Sequence, residues 1–291
     1  METVDRLIFQ TDHPEVVNVY NNHDNYKVKM YNGEGVQKDL CMLYFSSNEL
    51  YYPNTFKAFE NSILSRDKFE WQRNFMRTGH KHIFIRDIQK QWYIEGINVK
   101  YNDPKGLLKL LEDLTNGFKV YTIGSSAGGF AALYYGSLLK AERVYAFNAQ
   151  LNLNLVIKNS NSYTDPLLFK YRDTQRKEYL VIDNVLNETT DYFYFQSSKS
   201  NFDIEQYNAL TKKNRLIRIP FKTSNHGFPF LRHNLSDVLK MDKSELMILS
   251  NKHYHPFLFS VSIDGWLKSL KITGQAVFNR IKKKLREKKA S

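Results

Sequence analysis

"KVYTIGSSAGGFAALYYG", Lys119 to Gly136, sets a β-rich apolar run in front of a cluster of small residues and a helix-forming run behind it. Between the two, Gly124-Ser125-Ser126-Ala127-Gly128 has the spacing G-x-S-x-G. The spacing has a physical reason. A serine on a sharp strand-to-helix turn adopts a strained backbone that presents its hydroxyl, and small residues two positions to either side let strand and helix close on the turn. Ser126 is the central residue and Ser125 is not. The helix behind the turn aims its amino end at a reacting carbonyl, and the Ala127 N–H is placed to donate to an oxyanion. A phosphate loop fits poorly, because no Lys-Ser/Thr follows the glycines and Gly124-Ser125-Ser126 breaks the G-x-G of a dinucleotide fingerprint.

An activated serine needs a base and an orienting acid, which in a strand-turn-helix site of this kind follow in the order Ser, Asp/Glu, His. "PFKTSNHGFPF" places His226 in a loop after the strand-like run "LIRIP", beyond the last such run before the tail. His80 and His82 precede the run "HIFIRD" at its wrong end, and His233, His253 and His255 lie later in polar segments. For the acid, the run "YFYFQ" ends at Gln196; the first carboxylate beyond it is Asp203, with Glu205 two residues on as the alternative. The loop after "LCMLYF" offers the N–H groups of Ser46 and Ser47 as the second oxyanion donor. With one cysteine and no H-E-x-x-H, a metal site has no support.

Working outward, "LCMLYF" (Leu40–Phe45), "HIFIRD" (His82–Asp87), "KVYTIG" (Lys119–Gly124), "RVYAFN" (Arg143–Asn148), "YFYFQ" (Tyr192–Gln196) and "LIRIP" (Leu216–Pro220) read as strands. Helical spacing separates most of them, as in Phe56, Phe59, Ile63 and in Leu107, Leu108, Leu111, Leu114. Near-continuous apolar strands alternating with helices predict an α/β protein, a mostly parallel sheet with helices on both faces. Ligands of such sheets bind beyond the carboxyl ends of the strands. The first forty residues, with "VVNVY" and "YKVKMY" among turn residues, read as an antiparallel hairpin. No internal repeat or linker divides residues 1–255, which are expected to form one catalytic domain, followed by a basic tail over 256–291.

"GSSAGGFAAL" followed by "RVYAFNAQ", "IRDIQKQWY" with its Asp-x-x-x-x-Trp-Tyr spacing, and "SNHG" near the end together resemble the α/β-hydrolase-fold proteins of bacterial capsular and surface polysaccharide biosynthesis, which include serine-dependent polysaccharide O-acetyltransferases. The resemblance covers about residues 35 to 235. It implies an α/β-hydrolase fold, Ser126 as nucleophile, His226 as base, a polysaccharide or oligosaccharide acceptor, and acetyl-CoA as acyl donor with no bound cofactor. Many members carry an acid closer to the strand end, where this chain has Lys199 and Ser200, so Asp203 and Glu205 both stay open. Asp87, Trp92 and Tyr93 fall beyond a strand's carboxyl end, where an aromatic pair beside a carboxylate suits sugar binding and plain packing equally. A transferase and an esterase of the same mechanism differ in whether the site excludes water. The alternative from another class is a catalytically silent scaffold in a membrane-associated glycan assembly complex.

The apolar fraction of 42% and aromatic fraction of 14% exclude a disordered or fibrous chain. Cys41, the single cysteine, has no partner for an intramolecular disulfide and reads as a core thiol in a reducing compartment. No secretory leader or membrane-spanning run is seen, so a cytoplasmic protein, peripheral at most, is expected. The net charge of +12 is concentrated at the end: residues 264–291 hold nine basic residues against two acidic ones. Leu267, Leu270, Val277, Phe278, Ile281 and Leu285 form an apolar stripe there. A basic amphipathic helix of this kind either docks on the domain or lies on an anionic membrane surface, and Lys282–Lys284 with Lys288-Lys289 favour the membrane. Nucleic acid comes last, since no recognition motif accompanies the charge.

Overall fold

A computed structural model describes residues 13–73, 75–158, 168, 172–275 and 278. All six apolar runs are strands: β2 (Gln37–Phe45), β3 (Gly79–Ile85), β4 (Lys119–Ser125), β5 (Arg143–Phe147), β6 (Asp191–Ser197) and β7 (Leu216–Phe221). With β1 (Tyr26–Met30) they form a seven-stranded sheet in the order β1-β3-β2-β4-β5-β6-β7. The neighbours from β3 through β7 pair in parallel, and β1 runs antiparallel to β3 at the edge.

The period-two alternation of strands decides what each face buries. Cys41, Leu43 and Phe45 of β2 join Val144, Ala146, Tyr192 and Tyr194 on one face, under α3 (Pro104–Thr115) and α4 (Ala127–Leu138). Leu40, Met42 and Tyr44 join Tyr145, Phe147, Phe193, Phe195 and Phe221 on the other, where α7 (Leu235–Lys240), α8 (Lys243–Ser250) and α9 (Pro256–Asp264) pack. Both faces being covered is why the strands read as unbroken apolar runs. From β2 the chain turns to one side for β3, then crosses back to lay β4, β5, β6 and β7 on the other side. The strand order therefore reverses between β2 and β4, and ligands of open α/β sheets bind in the crevice at such a point. The architecture is that of an α/β-hydrolase fold.

The expected N-terminal hairpin is corrected. Val16–Tyr20 belong to α1 (Pro14–Asn22), which Pro14 opens and the His13 side chain caps by accepting from the Glu15 N–H. Val16 and Val19, three apart, are buried against Leu50, Tyr51 and Phe59, so a proline at the first helical position and an i,i+3 apolar face outweigh the β preference of valine. The antiparallel strand is real, but the partner of β1 is β3. Phe56, Phe59 and Ile63 do lie on helical turns: a short α2 (Phe56–Phe59) runs into a single π turn, Glu60–Leu64. The buried Cys41 thiol is pushed up to about 12 by desolvation, which makes it inert.

Helix α9 contributes Phe259 to the core beside Phe221, Phe230 and Tyr254. Residues 266–275 continue as helix, held at Ser269, whose hydroxyl lies 3.0 Å from that of Ser260. Trp266, Leu267 and Leu270 remain exposed. Val277, Ile281, Leu285 and the lysine clusters of the tail lie outside the described residues. Among the described residues no helix is long and apolar enough to cross a membrane.

Candidate active site

Ser126 joins β4 to α4 with φ +53° and ψ −121°, a left-handed backbone that the structure around it enforces. Its N–H donates to the Phe147 carbonyl at 2.9 Å, and its own carbonyl accepts from Phe130 at 3.1 Å. The flanking glycines are required by contact: a Cβ on Gly124 would stand 2.0 Å from the Gly128 carbonyl oxygen, and one on Gly128 would stand 2.3 Å from that of Phe45. Serine at a helix N-cap ordinarily bonds the first-turn N–H groups. Ser126 makes no such cap, and its hydroxyl lies 3.0 Å from His226 Nε2 instead.

His226 sits in the loop after β7, and a residue from the loop after β5 holds it there. Asn148, buried and at φ +41°, donates through Nδ2 to the Asn225 and Gly227 carbonyls, 3.1 and 2.9 Å away, and so grips the backbone on both sides of the histidine. Its Oδ1 accepts from the Ser197 N–H at 2.7 Å, tying this grip to the end of β6. The Phe202 ring stands edge-on to the imidazole at 5.6 Å.

The acid comes from α6 (Asn201–Asn208), capped by Ser200. Asp203 Oδ1 accepts from His226 Nδ1 at 2.8 Å, which fixes Nε2 as the ring nitrogen facing the serine. Asp203 is fully buried in the first turn of the helix, where the amide dipoles favour negative charge. Its second oxygen, Oδ2, has no partner among the described residues. Glu205 is on the exposed side of the same helix. Ser126, His226 and Asp203, read separately from the sequence, are thus brought into one hydrogen-bonded chain.

Gln150, two residues after Asn148, completes the surroundings of the serine. Its Nε2 lies 2.9 Å from Ser126 Oγ and 3.4 Å from His226 Nε2, and its Oε1 accepts from the Trp92 indole N–H at 3.1 Å. The backbone behind it, which leads into α5 (Leu153–Lys158), is pinned by the buried Gln206 of α6, whose Oε1 accepts from the Leu151 and Asn152 N–H groups, both at 2.8 Å. Asn148 and Gln150 both lie in the "FNAQ" stretch, which sequence reasoning singled out only by resemblance.

The oxyanion candidates divide. Ala127 heads α4, where an N–H has no partner within the helix. The Ser46 N–H is withdrawn as a donor, because it continues the sheet ladder to the Ile85 carbonyl at 2.9 Å. The Ser47 N–H faces the Glu70 carboxylate, 2.5 Å from Oε2, while the Ser47 hydroxyl bonds Oε1 at 3.1 Å. Glu70 was not singled out in the sequence; it is brought here by a loop that Trp71 anchors to the Phe45 carbonyl. Burial pushes its pKa up, opposed by the two Ser47 bonds.

The expected sugar-binding trio is also corrected. Asp87, Trp92 and Tyr93 are buried. The Asp87 carboxylate accepts from the N–H groups of Gln89, Gln91 and Tyr93, at 3.0, 2.5 and 3.0 Å, and desolvation pushes it up to about 6. Trp92 holds Gln150, and the Tyr93 hydroxyl donates to the Ser46 carbonyl at 2.8 Å. They brace the site from inside instead of facing a ligand. His82 is likewise buried, between the Tyr44 hydroxyl and the Gly79 carbonyl, and desolvation lowers it to about 4. Over the serine opens a cleft of about 330 Å³ lined by Ser47, Glu70, Ser126, His226, Phe228 and Arg232 among others. Among the described residues no group of His, Cys, Asp or Glu has the makings of a metal site.

Fold and site together define a class: an α/β-hydrolase-fold enzyme with a serine–histidine–aspartate constellation, built for acyl transfer or ester hydrolysis. No protein-family model matches the chain, and no curated protein does. Solved structures similar to it include the capsule O-acetyltransferase of Neisseria meningitidis serogroup A, 13% identical over 66% of this chain and 78% of that one, with a TM-score of 0.46. A thermophilic esterase of Thermogutta terrifontis is 16% identical over 90% of this chain and 97% of that one, with a TM-score of 0.42. The S-formylglutathione hydrolase of Staphylococcus aureus is 8% identical over 78% and 92%, with a TM-score of 0.44. Similarity at this level assigns no role to any residue.

Proposed function

We propose that this protein transfers an acyl group through an acyl-serine at Ser126. The observation that carries the reading is the unbroken chain from Asp203 through His226 to Ser126 Oγ, at 2.8 and 3.0 Å. His226 Nε2 takes the hydroxyl proton as Oγ attacks the acyl carbon, and Asp203 stabilises the imidazolium that forms. The oxyanion of the tetrahedral intermediate is met by the Ala127 N–H, and by the Ser47 N–H once substrate displaces the Glu70 carboxylate. Collapse expels the donor's leaving group, which recovers the proton from His226. An acceptor hydroxyl then repeats the sequence in reverse and frees the serine.

The acceptor we infer is a bacterial surface polysaccharide and the donor acetyl-CoA, a reading that rests on the "GSSAGGFAAL", "FNAQ" and "IRDIQKQWY" resemblance. The polar lining of the cleft suits a polyhydroxylated acceptor. Ester hydrolysis by the same steps is the second reading, favoured by the partial exposure of the His226 side chain, 36%, which admits water to the base. Incubation with acetyl-CoA, with and without oligosaccharide acceptors, separates the two: transfer gives acetylated glycan in preference to free acetate, and release of acetate at the same rate with and without acceptor favours the esterase.

The exposed Trp266, Leu267 and Leu270 and the basic residues of 264–291 support placing the protein at the anionic inner face of a membrane. Cosedimentation of the full chain with anionic vesicles that weakens with salt is the expected result, and equal binding to neutral vesicles would contradict it.

A further inference from the structure

We propose that Gln150 is a catalytic residue, its carboxamide held by the Trp92 indole and donating through Nε2 to Ser126 Oγ; the inference rests on the reading of Ser126 as nucleophile. The orientation of an amide is ordinarily ambiguous. Here it is fixed, because an indole nitrogen only donates, so the Gln150 atom 3.1 Å from Trp92 Nε1 is the oxygen. The NH2 group is thereby turned to the serine, 2.9 Å from Oγ. The support extends outward: Trp92 is buried and left-handed at φ +52°, in the turn that Asp87 closes, while Gln206 pins the backbone after Gln150 from the helix that carries Asp203. Two sequence elements with no role in the proton relay, "FNAQ" and "IRDIQKQWY", meet in this one hydrogen bond.

The consequence lies in the proton count at Oγ. A hydroxyl has one hydrogen to give and two lone pairs. With Gln150 Nε2 donating to one lone pair, the serine hydrogen meets two acceptors, Gln150 Oε1 at 3.3 Å and His226 Nε2 at 3.0 Å; Oε1 already accepts from the Trp92 indole, and the shorter contact is the one to His226. As His226 withdraws that proton, negative charge grows on Oγ, and it grows again when the acyl–Oγ bond breaks in the second half-reaction. A fixed N–H donor at Oγ stabilises both moments.

A fluorophosphonate probe tests this without any assumption about donor or acceptor. Oγ attacks phosphorus, its proton passes to His226, the P–F bond breaks and fluoride leaves, and intact-mass spectrometry follows the adduct. Wild-type protein is expected to label and Ser126→Ala is not. Gln150→Ala should label about 30-fold more slowly, below the ~10²–10³-fold typical of a donor aimed at a full oxyanion. Trp92→Phe, which keeps the ring and loses the N–H, should be slowed as well, and combining it with Gln150→Ala should add little, since both act through one bond.

A pH series separates chemistry from disturbed packing. The charged groups around His226 are Asp203 at 2.8 Å and, across the cleft, Glu49, Glu70 and Arg232. Gln150→Glu adds a carboxylate beside Nε2, favours the imidazolium, and should move the midpoint of the labelling profile upward by about one unit. Wild-type labelling rates in Gln150→Ala, or an unmoved midpoint in Gln150→Glu, with Ser126→Ala still silent, would overturn the role of Gln150 and leave the serine standing. Absence of labelling in the wild type would overturn the nucleophile and this inference together.

Discussion

Asp87 and Asp203 are both buried beyond the carboxyl ends of strands in the same sheet, 6% and 0% exposed, yet their carboxylates meet different donors. Both oxygens of Asp87 are taken by N–H groups of its own turn, Gln89, Gln91 and Tyr93. Asp203 turns one oxygen to His226, and the other has no partner among the described residues. Asp87 therefore stabilises a backbone conformation, the left-handed turn through Lys90, Trp92 and Tyr93, whereas Asp203 faces an imidazole and, in the mechanism we propose, stabilises the charge that forms there during reaction. Burial of an acid near a strand end does not define its role; the donor it faces does.

The largest expected effect lies on the Asp203 side. Asp203→Asn should lower kcat by about 10³–10⁴-fold, because the histidine loses both its tautomer and its charge partner. Glu205→Gln should leave the rate close to wild type, since that side chain points to solvent. Steady-state kinetics on an activated ester measures both, and the reverse order of losses would hand the role to Glu205.

Asp87→Asn should act on stability first. Whichever way the new amide turns, its NH2 faces backbone N–H donors, at a cost of about 1–3 kcal/mol by chemical denaturation. The pH dependence has a definite sign. Burial raises Asp87 to about 6, so the folded chain holds this proton more tightly than the unfolded chain, and ionisation subtracts stability as pH rises from the ordinary carboxylate range, about 4, through about 6. Between pH 4 and pH 7 the stability of wild type relative to Asp87→Asn should fall by about 2 kcal/mol. A constant difference would mean that Asp87 is ionised without penalty, as a reacting acid would be.

Much of this arrangement is legible in the sequence, and the parts that are not share a cause. Strands covered on both faces leave continuous apolar runs, so β2 to β7 can be read directly; Val16 and Val19 carry a β preference that Pro14 at the helix start and the packing of α1 together override. The serine turn is readable because its glycines answer to contacts made within a few residues, Gly124 against Gly128. Asp203 and Glu205 cannot be separated from sequence, since the choice depends on which side of α6 faces His226. Trp92 and Tyr93 read equally as sugar binders and as packing residues, because nothing in their identities reveals the left-handed turn that folds them inward. Asn148, Gln150 and Glu70 escape for the same reason: each acts on a partner more than twenty residues away, brought near only by the sheet.

Ser125→Ala offers the smallest expected effect. Ser125 is the last residue of β4, buried in the ladder with β5, so its loss should spare most of the rate.

The central claim is that the acyl group passes through Ser126. Wild type, Ser125→Ala and Ser126→Ala should be quenched in acid within the first turnovers with an activated acetyl ester, digested, and the acetylated peptide sequenced by mass spectrometry. The acetyl group is expected on Ser126 in wild type and Ser125→Ala, with no acetyl-enzyme in Ser126→Ala. Full turnover by Ser126→Ala, or acetyl-enzyme formed at Ser125, would contradict the account.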